Sequence, residues 1–192
     1  MILASNSKRR QEILKDMGFK FKVITADIEE VSDKKDISER ILDIAEKKLD
    51  KIAKDNINDF VLAADTVVAL DGEVFGKPKD REEAEKFLKL LSGKTHKVIT
   101  AYVFKNISKN IFIKDVVISK VKFYDLDDET IKWYLDTSEP FDKAGAYGIQ
   151  GHGRALVERI EGDYFAIMGF PVSNFLKNLR KNGYKISQID RI

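Results

Sequence analysis

Apolar and polar residues recur along the chain with periods that mark its elements. The opening "MILA" is a short apolar run of strand character, and "FKFKVITA" (residues 19–26) alternates with the period of two of a half-buried strand. Between them, Ile13, Leu14 and Met17 share one face of a helix predicted over residues 8–17, and Gly18 is placed to stop it. A second helix is expected with Ser38 as its cap, because Ile41, Ile44, Ala45, Leu49 and Ile52 recur at helical spacing. "FVLAADTVVAL" (residues 60–70) reads as a buried strand interrupted by one acid and followed by an Asp71-Gly72 turn. Asp80 and Glu83 form a capping-box pattern ahead of Ala84, Phe87, Leu88 and Leu91, with Gly93 ending that helix. Strand-like stretches follow at residues 95–105 and 111–124, then a short helix at 130–135. Strands are expected near 155–160 and 164–168, and a last helix over 172–182. No internal repeat or Pro/Gly/Ser linker divides this pattern. Its irregular alternation of strands and helices predicts an α/β protein whose mixed, twisted β-sheet is flanked by helices.

Composition narrows the function classes. A chain of 192 residues, 43% hydrophobic and 34% charged, suits a single globular domain over residues 1–192. Lys and Arg exceed Asp and Glu by 34 − 32 = 2. That balance argues against stable nucleic-acid binding. The absence of cysteine excludes disulfides, cysteine-ligated zinc and thiol catalysis, and it suits a reducing compartment. No apolar run approaches membrane-span length, and "MILASNSKRR" lacks a signal-peptide layout. A cytoplasmic protein with no membrane association is the expectation.

Candidate chemistry sits in four places. In "SNSKRR" a strand gives way to a helix N-terminus carrying Lys8, Arg9 and Arg10, a setting that suits phosphate. The bland alternative is that Ser7 caps the helix and the basic side chains are solvated. It leaves unexplained why cations stand where they oppose the helix dipole. Asp65 lies among apolar neighbours and Thr66, and is costly to bury alone. If the strand ends there, the acid points outward to hold a metal or deprotonate water; otherwise it caps a turn or pairs with a lysine. Lys77 in "FGKPK" is presented from a stiff turn, although a solvated lysine is the commoner fate of that position. For Glu29, Glu30 and Lys48 a solvated helix face is an adequate account.

The fourth place is "EPFDKAGAYGIQG", residues 139–151, which concentrates Gly145, Gly148 and Gly151 around Lys143, Tyr147 and Gln150. It is neither a Walker A loop nor a dinucleotide fingerprint. Its glycines serve either close backbone approach to a ligand or a plain turn, and Glu139 and Asp142 either bind metal or pin the loop. His96 and His152, the only histidines, read as surface or satisfied polar residues, so a histidine triad or zinc site is unattractive.

Taken in order, "LASNSKRR", "IEE", "AEKKL", "AADT", "GKP", "LSGKTHKVIT", "EPFDKAGAYGIQG" and "GDYFAIMGFP" resemble the motifs of the Maf family over nearly the whole chain. The sequence departs from the family where Lys8 replaces the usual proline and Leu49 an alanine that is often found there. The resemblance implies an inosine-triphosphatase-like (Maf/Ham1) architecture with a cleft between two lobes. It also implies cleavage of a nucleoside triphosphate between the α and β phosphates, aided by Mg²⁺ or Mn²⁺. Asp65 matches the family's proton acceptor. Ser5, Arg10, Lys48, Lys77 and Lys143 match phosphate-binding positions, and Glu30 with Asp65 the metal position. Arg9, Thr66 and Gln150 match base-selecting positions and resemble the subgroup acting on dTTP and UTP. Nucleotide-pool cleaning, a link to cell division and a homodimer are further implications. The competing readings are a pyrophosphatase for modified purines, of the 7-methyl-GTP or inosine type, and a nucleotide-sensing division regulator without turnover.

The chemistry of Gln150 agrees with a uracil or thymine base. A side-chain amide offers a donor and an acceptor side by side, matching the O4 acceptor and N3–H donor of those bases. Cytosine presents the reverse pair, so discrimination requires the amide to be locked against a flip. Arg9 and Thr66 are the candidates for that lock, or for a second contact to the base.

Overall fold

Seven strands form one mixed sheet in the computed structural model, which describes residues 1–192 apart from the side chain of Arg191. They are β1 (Ile2–Leu3), β2 (Lys22–Val23), β3 (Val61–Leu70), β4 (Glu73–Phe75), β5 (Thr95–Asn106), β6 (Ile111–Phe123) and β7 (Val157–Glu161). Their order is β2-β1-β3-β5-β6-β7, with β4 beside β3. β1 runs parallel to β2 and β3, whereas β4 is antiparallel to β3 and β7 to β6, so the strand directions are mixed as the pattern predicts. The flanking helices are α1 (Lys8–Asp16), α2 (Ile37–Ala53), α3 (Arg81–Leu91), α4 (Asp128–Asp136), α5 (Tyr164–Met168) and α6 (Val172–Lys181). None of the helices among the described residues is long and apolar enough to cross a membrane.

Three local expectations are corrected. "FKFKVITA" contributes only the two residues of β2, both exposed, because β2 is the last strand of the order and its one neighbour, β1, is equally short. α2 is capped by Asp36 rather than Ser38: the Asp36 carboxylate accepts from the Glu39 N–H at 3.0 Å, and a negative charge there suits the positive end of the helix. Residues 164–168 form helix α5 and not a strand. Gly162, at φ +111°, ends β7, and Asp163 Oδ1 then accepts from the N–H groups of Phe165 (2.8 Å) and Ala166 (3.1 Å). A five-residue apolar run has no periodicity of its own to separate the two outcomes.

Backbone packing divides the chain into two compact units. Met1–Asp65, Thr100–Val117 and Gly169–Ile192 form the first; Thr66–Ile99 and Ile118–Met168 form the second. In the first, Ala45, Leu49, Ile52 and Ala53 of α2 pack on Ile2, Ala4, Val61, Ala63 and Val103. The alternate residues Tyr102 and Phe104 of β5 instead meet Phe175 of α6, at centroid distances of 5.4 and 5.2 Å. In the second, Ala84, Leu88 and Leu91 of α3 and Ile131, Tyr134 and Leu135 of α4 share a core with Val68, Val98, Val121 and Phe123.

Candidate active site

The first unit gathers charged groups that the sequence scatters over sixty positions. α1 begins just after β1, and its cap is Ser7, whose hydroxyl accepts from the Arg10 N–H at 3.4 Å. Arg10 is not solvated: only 7% of it is exposed. Its Nε donates to the Gly169 carbonyl at 3.0 Å and its Nη1 to Ser5 Oγ at 2.5 Å. Burial lowers the Arg10 pKa to about 10, opposed by the attraction of Asp65, so the guanidinium stays charged at neutral pH. The half-buried Arg9 adds its own positive field next to it.

β3 does not end at Asp65 but continues to Leu70, and Asp65 pairs with a lysine, the second of the two outcomes its sequence setting left open. With the period of two, Asp65 shares the face on which Val61 and Ala63 meet α2, so its carboxylate reaches Lys48 of that helix. Lys48 Nζ lies 2.9 Å from Asp65 Oδ1 and 2.7 Å from Glu30 Oε1, with 14% of its side chain exposed. The solvated account is therefore replaced for Lys48; Glu30 remains largely exposed, lies outside any helix and reaches in to the same ammonium. An ammonium holds two carboxylates together, beside a buried arginine and the Ser5 hydroxyl.

This donor set fits a hard divalent cation. Among the described residues no group of three or more His, Cys, Asp and Glu could hold a metal. Mg²⁺, however, is commonly bound by one or two carboxylates with substrate phosphates and water completing its oxygen shell. Glu30 and Asp65, which share the Lys48 ammonium, are two such carboxylates.

In the second unit, Thr66 is half-buried on β3, and Lys77 is exposed in the turn after β4, anchored by buried Pro78. The Gly76 carbonyl accepts from the Gly145 N–H at 3.0 Å, tying the Lys77 turn to the glycine-rich loop. That loop is a series of 3-10 turns, Glu139–Asp142, Ala144–Ala146 and Gly151–Leu156. Lys143 Nζ donates to the Glu139 carbonyl at 2.5 Å and pairs with Asp142 Oδ1 at 2.6 Å.

The glycines answer to the protein's own groups. Gly145 has φ +68°, and a Cβ there would stand 2.9 Å from the Val68 side chain. Gly151 has φ +63° and lies against the Glu139 carboxylate, which a Cβ would strike. Glu139 pins the loop: Oε1 accepts from His152 N–H at 3.0 Å and pairs with Nδ1 at 2.7 Å, while Oε2 accepts from Gly153 N–H at 3.4 Å. Gln150 is half-buried and extended between these anchored segments.

Of the two settings expected for His96, the surface one is excluded and the satisfied polar one holds for a single ring nitrogen. The residue is 1% exposed, its Nε2 lies 2.7 Å from Tyr147 Oη, and its Nδ1 has no partner among the described residues. Burial lowers its pKa to about 4. The signal for burial was present, because the alternation of "THKV" puts His96 on the same inward side as Val98. Tyr134 adds a second hold on the loop, its hydroxyl accepting from the Gly148 N–H at 3.1 Å.

Comparison with known proteins bears on this arrangement. The model of the Maf-like protein family matches residues 1–182. The chain is 78% identical over 192 residues, 100% of both chains, to a protein of Fusobacterium nucleatum subsp. nucleatum named dTTP/UTP pyrophosphatase. It is 47% identical over 190 residues, 98% of each chain, to a Pyrococcus furiosus protein of the same name. Among solved structures, the Staphylococcus aureus Ham1 protein aligns with 65% of this chain and 71% of its own, with 19% identity and a TM-score of 0.44. A match that runs from β1 through α6 makes this chain a member of the Maf-like protein family.

Proposed function

We propose that the chain is a nucleoside triphosphate pyrophosphatase that hydrolyses dTTP and UTP to the monophosphate and pyrophosphate. The observation that carries the reading is Lys48 holding Glu30 and Asp65 beside the buried Arg10. The names of the 78% and 47% identical relatives support the substrate. They do not favour a purine-directed enzyme or a sensor without turnover.

In this reading one water is consumed and one α–β phosphoanhydride bond is broken. Asp65 orients the water and accepts its proton, as a general base must. Lys48 engages Oδ1 and fixes the plane of the carboxylate. Arg10, Ser5, Lys77 and Lys143 grip phosphate oxygens, because a triphosphate carries about four negative charges and the leaving pyrophosphate gains more. Glu30 and Asp65 would hold Mg²⁺ or Mn²⁺, which would supply further charge stabilisation on the phosphates. Gln150, with Arg9 and Thr66, selects the base. A homodimer in the cytoplasm, without membrane or nucleic-acid partners, completes the reading.

Pyrophosphate release from a nucleotide panel with Mg²⁺ or Mn²⁺ tests it. dTTP and UTP should be turned over with kcat/KM at least about tenfold above CTP and the purine triphosphates, the cost of a mismatched buried hydrogen bond. Asp65→Asn should keep the fold and most of the nucleotide affinity and lose at least about a hundredfold in rate. A purine preference would overturn the substrate, and near-normal turnover in the variant would move the base to another acid.

A further inference from the structure

Glu139 is bound at both of its ends to the segment that carries Lys143 and Gln150. Its backbone carbonyl takes the Lys143 ammonium at 2.5 Å. Its carboxylate takes the His152 N–H at 3.0 Å, the His152 ring at 2.7 Å and the Gly153 N–H at 3.4 Å. Gly151 sits directly on that carboxylate at φ +63°, where any side chain would collide with it. On the other side of Gln150, the Gly148 N–H is held by Tyr134 Oη at 3.1 Å. The backbone is therefore anchored two residues before Gln150 and two residues after it.

We propose that Glu139 is a positioning residue for base selection, one that holds the Gln150 amide in a single orientation through the backbone of Gly151–Gly153 without touching the nucleotide. The inference rests on the reading that Gln150 meets the base. The chemistry of the carboxylate suits the role. Its burial opposes ionisation, yet the three bonds from His152 and Gly153 prevail and hold its pKa below the usual range. It thus stays an ionised acceptor toward groups that otherwise lose their partner, and an ionised acceptor forms the stronger bond. A lock built into the backbone is also well suited to selectivity. Reversing the side-chain amide then requires strain in an anchored segment, and a free side chain offers no such resistance.

The test compares the unmodified enzyme with Glu139→Ala and Glu139→Gln. The readouts are the ratio of kcat/KM for UTP to that for CTP, and amide hydrogen exchange of residues 151–153 in the nucleotide-free protein. The ratio does not change with the fraction of protein folded, so a merely structural role would leave it in place. Glu139→Ala should lower the ratio by roughly fivefold or more and speed exchange in residues 151–153. Glu139→Gln keeps an oxygen for the His152 donors but sets an amide donor against the Gly153 N–H, so it should lower the ratio by less than Glu139→Ala does. An unchanged ratio in Glu139→Ala, with exchange at residues 151–153 accelerated, overturns the proposal alone. No UTP preference in the unmodified enzyme would sink the base-selection reading together with it. Should Glu139→Ala not fold, Glu139→Gln decides: its amide adds a donor facing Gly153, so exchange there must rise and the ratio must fall measurably.

Discussion

The buried imidazole of His96 has the clearest consequence at the scale of single residues. Its ring stands edge-on to Phe123 and Tyr147, at centroid distances of 4.9 and 5.3 Å. Burial without a compensating charge is what lowers its pKa to about 4. An orphaned lone pair is tolerated better than an orphaned N–H, so the neutral ring carries its proton on Nε2 and donates to Tyr147 Oη. The folded pKa lies below the unfolded value, so the contribution is fully present above pH 6.5 and is lost as pH falls toward 4. The loss reaches about 3 kcal/mol near pH 4, since each tenfold change in proton affinity between the folded and unfolded chain is worth roughly 1.4 kcal/mol. His96→Gln, which keeps a donor for Tyr147, should remove this part of the pH dependence. Urea unfolding at several pH values measures it, and parallel pH profiles for the two proteins would refute it. Lys48 shows the opposite kind of residue-scale surprise. Helical spacing sets Lys48 in line with Ile41, Ile44 and Ile52 on the buried face of α2, whereas its neighbour Lys47 is exposed and pairs with Asp43 at 2.8 Å. That spacing places the ammonium but does not name its partners, Asp65 of β3 and Glu30.

At the scale of elements, spacing and punctuation are legible wherever the signal is local. The Asp71-Gly72 pair takes φ of +51° and +87°, as a two-residue hairpin turn requires, and Val68 accordingly pairs with Phe75. The capping pattern ahead of α3 is present, with Asp80 accepting from Glu83 N–H at 2.9 Å. The Glu83 carboxylate turns back to the Lys79 N–H, at 2.7 Å, rather than to its own cap residue. The start of α2 differs from the expectation by two residues because Asp36 and Ser38 are both competent caps, and which one serves depends on where the preceding chain enters the helix. Asp36→Ala should lower stability by about 1 kcal/mol, while Ser38→Ala should change it by no more than a few tenths. Equal losses in urea denaturation would return the cap to Ser38. The strand expected over residues 164–168 is absent for a related reason. Asp163 supplies cap bonds that convert a short apolar run into a turn of helix.

For the whole molecule, the near balance of 34 basic and 32 acidic residues means that attraction for a triphosphate must come from local clustering, not from net charge. The homodimer belongs to this scale as well: static light scattering at micromolar concentration should give twice the 21.9 kDa chain mass, and a value at the chain mass would remove the dimer without touching the chemistry. By itself, the order of residues determined the α/β class, most helices and strands, the tight turns and the motif resemblance, because each rests on spacings of a few residues. It also named Asp65, Arg10, Lys77, Lys143 and Gln150 as candidates. The tertiary structure alone decided who meets whom. Lys48 and Asp65 are 17 positions apart, His96 and Tyr147 are 51 apart, and Arg10 and Gly169 are 159 apart. No periodicity reaches across such distances, because these pairs form only after the sheet order has closed the loops between them, and the loss of chain freedom in that closure is offset by the shared cores on which the strands and helices pack.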